Sequence, residues 1–313
     1  MSLGALGRAI KKLGSNKTRR GAESDDTTKV DPTPAGTGVL PTLVCEMVID
    51  CVAGHLRHIG KQWWGEDILK TLQACSLTCR AWTPRSQFHL FRFLRVRCSQ
   101  KQVHKVLSLF DRNPALPSRI EVLVIRAPGL LAKLKSIPAQ LCEALPDVPE
   151  LRISRSFVDL AFKLDSPIIA SLTTFTAVTT LSLSQSHFHS PHDIRRVIVA
   201  FPRLETLVLD QPAWTIVPTY PPVHTNLEFT TLRIKVLRLT TSTAWLRDPR
   251  GCAFFSWLAR SGVVSCLEFL VVNTMVLDEA SYNFVRELIE VSAKTVKQLS
   301  ITFGLDFDYT SCE

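Results

Sequence analysis

Glycine supplies only 13 of the 313 residues, and neither a glycine-rich phosphate loop nor a G-x-S-x-G turn occurs. Phosphate-cradling loops and the nucleophile elbow of α/β hydrolases therefore have no footing in this chain. No run of about 18 uninterrupted apolar residues exists, so no transmembrane helix is expected. C-x-x-C pairs are absent, and the nine cysteines are irregularly spaced. Several lie in apolar runs such as TLVCEMVID and VVSCLEFLVV, where a thiol packs as a small core residue. The opening MSLGALGRAIKKLGS has neither a long apolar stretch nor a cleavage-type end, so no secretory signal is expected. These features point to a reducing compartment and no disulfide framework.

Apolar residues make up 46% and charged residues 21% of the chain. That is ordinary for a soluble globular protein and excludes a wholly disordered or collagen-like one. The length suggests about two domains. Lys plus Arg exceeds Asp plus Glu by 37 − 28 = +9, which permits contact with nucleic acid or a membrane surface without demonstrating it. Part of the excess belongs to the first 38 residues, which contain no Trp, Tyr or Phe and no acid before Glu23. Such a segment buries too little apolar surface to offset its ordering entropy, so 1–38 is expected to be a disordered basic tail. Leu3, Leu6, Ile10 and Leu13 share one helical face beside Arg8, Lys11 and Lys12, resembling a mitochondrial presequence, and KK…KTRR resembles a nuclear signal. A solvated basic tail is the preferred reading, with a cytoplasmic or nuclear location ahead of a mitochondrial one.

From 39 to 98 the pattern is apolar and helical. Leu40-Pro41 opens it, and Val44, Met47, Val48 and Cys51 follow i, i+3, i+4, i+7, an amphipathic stripe. After KQWWGED, Asp67 is placed to cap a second helix carrying Leu69, Leu72, Leu77, Cys79 and Trp82, and Pro84 punctuates a third. The Trp63–Trp64 pair is read as folding back on this module.

A second rhythm, apolar-x-x-apolar-x-apolar, then recurs eight times: FRFLRV, IEVLVI, VPELRI, VTTLSL, LETLVL, IKVLRL, LEFLVV and VKQLSI. Its central residues are Leu94, Leu123, Leu151, Leu181, Leu207, Leu237, Leu270 and Leu299, separated by 29, 28, 30, 26, 30, 33 and 29 positions. This is the leucine-rich-repeat signature of one short strand and one helix per unit, at its long end. Stacked units bury one another's apolar faces, so 99–313 is expected to form a curved solenoid with a parallel sheet. SQKQVHKVLSLFDRN, SPHDIRRVIVAF, GCAFFSWLARSG and DEASYNFVRELIEVSAKT supply helices, with caps at Ser190 and Asp278; SPIIASLTTF and PAQLCEAL supply shorter ones. The proline-rich PAWTIVPTYPPVHTNLEFTTL reads as a loop crossing.

Candidate chemistry is sparse. His187, His189 and His192 of HFHSPH have no matching Cys or carboxylate cluster, so a surface turn is preferred to a metal site. Cys75 and Cys79 read as packed thiols, and Asp306 and Asp308 as solvated carboxylates. Arg92, Arg95 and Arg97 read as the polar face of an edge strand, because the aromatic interleaving that stacks bases is missing. No cofactor and no metal are expected.

Residues 39–97 resemble the F-box-like motif: Leu40-Pro41, then Glu46, Val48, Ile49 and Asp50, then Leu72, Cys75, Leu77, Cys79, Arg80 and Trp82, then Leu90-Phe91. The L-x-x-C-S-L-x-C-R-x-W…LFR section is similar to the form common in fungal F-box-like proteins, where leucine-rich-like repeats follow. Thr42 stands where a second proline is usual, Leu43 where an acid is usual, and the 53–66 linker is long. The resemblance implies a three-helix module that docks on the Skp linker subunit of a cullin-based ubiquitin ligase, and a repeat domain that holds a protein substrate. It nominates Leu40, Pro41, Val44, Val48, Ile49, Leu69, Leu72 and Leu77 for docking or for shaping the docking helices, with Cys75, Cys79 and Trp82 in the module core.

Strand alternation nominates the substrate face. It comprises Arg126, Arg152, Ser154, Ser182, Ser184, Asp210, Arg238, Thr240, Asn273, Ser300 and Thr302, a small, polar and lightly basic set. No membrane partner is expected and nucleic acid is disfavoured. The sequence therefore points to an α/β, non-enzymatic adaptor. A repeat scaffold that no longer docks is the alternative, and an enzyme would have to reveal itself by a deep pocket with convergent titratable groups.

Overall fold

The computed structural model describes residues 42–58, 64–97, 99–127, 137–155, 172–188, 190–214, 232–241, 245, 248–274 and 279–303. The chain divides into two compact units, Met1–Phe93 and Leu94–Glu313. The expected tail, Leu40-Pro41, Trp63, His189, Asp278, Asp306 and Asp308 lie outside the described residues.

Three helices make up the described part of the first unit: α1 (Thr42–His58), α2 (Trp64–Thr78) and α3 (Thr83–Arg92). Their apolar positions recur at helical spacing, so Ile49 and Ala53 of α1 meet Leu69 and Leu72 of α2 and Leu90 of α3 in one buried cluster. Val52, Ile68, Trp82 and Phe93 pack around it half-buried. Helix α2 begins at Trp64, ahead of the expected cap, so Asp67 lies inside the helix. The turn into α3 is tied by the Thr83 hydroxyl, which donates to the carbonyls of Ser76 at 2.9 Å and Cys79 at 3.0 Å. Pro84 then enters the first turn of α3, where its missing N–H costs no hydrogen bond.

The second unit is built on one eight-stranded sheet. Its strands are β1 (Phe93–Arg97), β2 (Val122–Ala127), β3 (Glu150–Arg155), β4 (Thr180–Ser184), β6 (Thr206–Asp210), β8 (Val236–Thr241), β9 (Phe269–Thr274) and β10 (Gln298–Phe303). They lie in chain order across the sheet. From β2 to β10 they pair in parallel, and the repeat leucines stand side by side: Leu123, Leu151, Leu181, Leu207, Leu237, Leu270 and Leu299. All of these except Leu299 are completely buried. A slip of one residue would turn every one of them to the opposite face, so the register is fixed by burial.

Parallel neighbours need crossovers long enough for a helix. Those described are α4 (Gln100–Arg112), α5 (Ile137–Ala144), α6 (Pro191–Val199), α7 (Pro249–Arg260) and α8 (Glu279–Ser292). They bury apolar stripes, as with Ile194, Val197 and Ile198 of α6, or Phe254, Phe255 and Leu258 of α7. Helix α6 starts where its cap residue places it: the Ser190 hydroxyl accepts from Asp193 N–H, and the Asp193 carboxylate accepts from Ser190 N–H, a capping box.

Two features escape the strand-leucine pattern. A second, two-stranded sheet pairs β5 (His187–Phe188) with β7 (Ala213–Trp214), so the proline-rich crossing opens as a strand. Each short strand follows its long one through a glutamine with positive φ, Gln185 at 51° and Gln211 at 48°. That conformation is costly for a residue with a Cβ. Each glutamine N–H is held by a carbonyl of the next strand, Asp210 or Thr240, at 2.7 Å. One residue ahead of the strands, Glu205, Lys235, Glu268 and Lys297 form an alternating row, with Lys235–Glu205 at 2.7 Å and Lys297–Glu268 at 2.8 Å.

Candidate functional site

Helix α1 carries two apolar stripes, and among the described residues one of them packs into the core of its own unit. Cys45, Ile49 and Ala53 point inward and are buried. Val44, Met47, Val48 and Cys51, the stripe that the sequence displays most plainly, point outward. Val44 is 39%, Met47 59% and Val48 44% exposed, and Leu43 adds a side chain 66% exposed. On α2, Leu77 is also exposed. An outward row of large apolar side chains on one helix is the type of surface a partner covers.

The nominated docking residues thus separate. Val44, Val48 and Leu77 lie on the surface, whereas Ile49, Leu69 and Leu72 are buried in the module's own cluster and can only shape the helices that present it. Both stripes of α1 recur at helical spacings, 44, 47, 48 and 51 on one side and 45, 49 and 53 on the other, so sequence alone does not separate them. Leu43 and Met47 were missed as surface members for the same reason. Among the nominated core residues, Cys75 is buried and Trp82 packs half-buried on the cluster. Cys79 is instead exposed, because α2 ends at Thr78 and leaves it in the turn.

The module is clasped on a polar side as well. Asp50 of α1 accepts from Arg85 Nε and from a terminal Arg85 nitrogen, both at 2.6 Å, and its Oδ1 lies 2.7 Å from His89 Nε2 of α3. The Arg85 guanidinium is the main cause that lowers the Asp50 carboxyl to about 2, with His89 adding to it and partial burial opposing it. The Arg85 and Arg92 guanidiniums both lie over the Phe88 ring, at 5.2 and 5.3 Å. Arg92 ends α3, so of the three nominated arginines Arg95 and Arg97 sit on β1, which among the described strands lies at the edge of the sheet.

In the second unit the nominated substrate residues fall on the outward side of the sheet, alternating with the buried leucines. Arg238 and Thr302 are exposed, and Arg126, Arg152, Ser182, Ser184, Asp210, Thr240, Asn273 and Ser300 are half-buried. Ser154 differs: it is buried, 6% exposed. Arg152 pairs with Glu150 at 2.6 Å. Burial pushes the Asp210 carboxyl above its ordinary range, against a hydrogen bond from Ser184.

Beyond the sheet face, α7 and α8 flank a groove of about 490 Å³ floored by Phe255 and Phe284. Its charged rim is already paired, with Arg260–Glu287 at 3.3 Å and Arg286–Glu290 at 3.5 Å. An aromatic run unread in the sequence ties β5 and β7 to α7: Trp214 stacks on Trp245 at 5.4 Å, and Trp245 meets Phe255 at 4.8 Å. Of the HFHSPH histidines, His187 lies in β5 and His192 in the first turn of α6, where burial and Arg196 lower its pKa. Among the described residues no three His, Cys, Asp or Glu side chains converge as metal ligands, and no helix is long and apolar enough to cross a membrane.

No protein-family model matches this chain, and no curated protein matches it. The functional reading therefore rests on these two surfaces.

Proposed function

We propose that this protein is a non-catalytic adaptor. In this reading α1–α3 are an F-box-like module that docks on the Skp linker subunit of a cullin-based ubiquitin ligase, and the parallel sheet is the recognition face of a leucine-rich-repeat-like solenoid that holds a protein substrate. One observation carries it: α1 leaves Leu43, Val44, Met47 and Val48 exposed on the side opposite its own core. Leucines in register on successive parallel strands support the solenoid reading. A module of three short helices is marginal alone and gains from a partner that covers its second stripe. Fully burying one such side chain contributes about 1.5–3 kcal/mol. These start roughly half covered, so docking gains about 1 kcal/mol from each.

The test is titration calorimetry of the purified full chain with a Skp-type linker. Val44→Asp with Val48→Asp is expected to weaken binding at least 100-fold while the thermal midpoint stays within a few degrees. Equal binding by wild type and variant overturns the docking. A second reading is motivated by Leu43, which fills the position usually acidic in this motif. On that reading the chain is a protein-interaction scaffold outside ubiquitin transfer, and the wild type then fails to bind the linker at micromolar concentrations while remaining folded.

A further inference from the structure

Among the described strands β10 closes one side of the sheet, and its sequence does nothing to protect that edge. Edge strands are usually blunted by charge, proline or a bulge. At the opposite edge β1 carries two arginines in Phe93–Arg97, whereas Gln298–Phe303 contains neither a charged residue nor a proline. The Gln298 N–H donates to the Glu268 carbonyl at 3.1 Å. Alternate residues of a strand in a parallel ladder face the same neighbour, so Ser300 and Thr302 also turn their backbone groups to β9. Leu299 and Ile301 turn theirs to the open edge.

The side chains are open there as well. Leu270 and Val272 of β9 are buried, but their β10 partners Leu299 and Ile301 are 44% exposed and half-buried. Helix α8 extends this apolar end. Its Phe284 meets Phe255 of α7 at 3.6 Å. Tyr282, about 200° round the helix from Phe284, faces away from α7 and is 56% exposed.

Charge indicates what belongs beside this edge. In the row ahead of the strands Lys235 lies between Glu205 and Glu268, and both carboxylates, Glu205 the more strongly, hold its ammonium above the usual range. Glu268 lies between Lys297 and Lys235, and both, Lys297 the more strongly, hold its carboxyl below the usual range. Lys297 has Glu268 at 2.8 Å on one side and the open edge on the other. A carboxylate in the next place continues the alternation. The chain's own acid-headed strands show the pattern that goes with it. In Glu205-Thr206-Leu207-Val208-Leu209 the apolar side chains that the sheet buries stand two and four residues after the acid. A second copy fits less well. Two β10 edges paired about a twofold axis run antiparallel, which sets Lys297 against the far end of the other strand, where Thr302 and Phe303 offer no carboxylate.

We propose that β10 accepts an extended segment of a partner protein as a further parallel strand, with a carboxylate of the segment beside Lys297 and apolar side chains two and four residues later covering Leu299 and Ile301. Main-chain hydrogen bonds to the edge supply affinity, and the alternating side chains supply specificity. This edge is separate from α1 and from the outward face of the sheet.

The experiment is fluorescence anisotropy of the full chain with three labelled peptides: ETLVLD, which copies residues 205–210, KTLVLD and ETLPLD. ETLVLD is expected to bind at least threefold tighter than KTLVLD. It is expected to bind at least tenfold tighter than ETLPLD, whose proline lacks the N–H that the Leu299 carbonyl would accept. Lys297→Glu is expected to reverse the preference between the first two peptides, a gain for KTLVLD that a damaged fold does not produce. Absence of ETLVLD binding overturns the proposal, as does equal binding of ETLVLD and ETLPLD or an unchanged preference in Lys297→Glu. A chain that sediments as a dimer and takes up no peptide assigns the edge to a second copy and also overturns it. If Lys297→Glu is misfolded by circular dichroism, Lys297→Gln carries the test: ETLVLD and KTLVLD binding within twofold of each other supports the site, and a retained threefold preference overturns it. Failure of linker binding with intact ETLVLD binding sinks the docking of α1 and leaves this edge standing.

Discussion

Replacing Asp50 by Asn probes the polar clasp of the helical module, and the outcome depends on pH in a definite direction. Asp50 accepts two hydrogen bonds from Arg85 and lies within reach of His89, and its carboxyl is lowered from 3.8 to about 2. A carboxyl whose pKa is lower in the folded state contributes stability that is present above its unfolded value, near 3.8, and is lost as pH falls through about 2. At about 1.4 kcal/mol per pH unit the full shift would be worth roughly 2.5 kcal/mol. The Asp50 side chain is 40% exposed, however, so solvent screening brings the expected contribution to about 1 kcal/mol. Amide hydrogen exchange of α1–α3 in the full chain measures it without interference from the repeat unit. At pH 6 the α1 and α3 amides of Asp50→Asn should be less protected by about 1 kcal/mol, roughly fivefold in rate. Wild type and variant should converge as pH approaches 2. A difference that is absent at pH 6, or that does not change down to pH 2, refutes the reasoning.

Two further substitutions test the packing. Leu207 is fully buried between Leu181 and Leu237 at the centre of the sheet, so Leu207→Ala should cost about 2–5 kcal/mol in urea unfolding; a loss below 1 kcal/mol would contradict the leucine register. A Cβ on Gly251 would overlap the Trp245 carbonyl oxygen, whereas one on Gly54 meets nothing within 4 Å. Gly251→Ala should therefore cost at least about 2 kcal/mol and disturb the near-ultraviolet signal of the Trp214–Trp245 stack. Gly54→Ala, inside α1, should be neutral or stabilising by up to about 1 kcal/mol. Equal midpoints for the two would contradict the close approach at Gly251.

The eight strands were legible because each repeats an apolar pattern at a nearly constant interval, and seven of the leucines named from that pattern, Leu123 to Leu299, are found side by side in the sheet. The cap at Ser190 was legible because serine, proline and an acid at these offsets satisfy the first turn of a helix. Two-residue strands such as His187–Phe188 and Ala213–Trp214 are too short to show a period, and the glutamines that lead into them carry no glycine signal. The Asp50 clasp joins residues 35 and 39 positions apart, a pairing that appears only when α1 lies against α3. On α1 the difficulty is different. Two apolar stripes, each at a helical spacing, share one helix, and the position of α2 and α3 decides that Ile49 is core and Val48 is surface. For the same reason Leu72→Asp would break the module's cluster, whereas Val44→Asp and Val48→Asp address the surface alone.

The proposed docking of α1 is tested most directly by the thiol that continues its outward stripe. Cys51 is exposed, and Cys252 of α7 is an exposed thiol in the other unit. With the Skp-type linker at saturating concentration, alkylation of Cys51 by iodoacetamide, followed by mass spectrometry, should slow at least tenfold while that of Cys252 keeps its rate. An unchanged Cys51 rate in the presence of the linker, or equal slowing of both thiols, would contradict the assignment of this helix face as the docking surface.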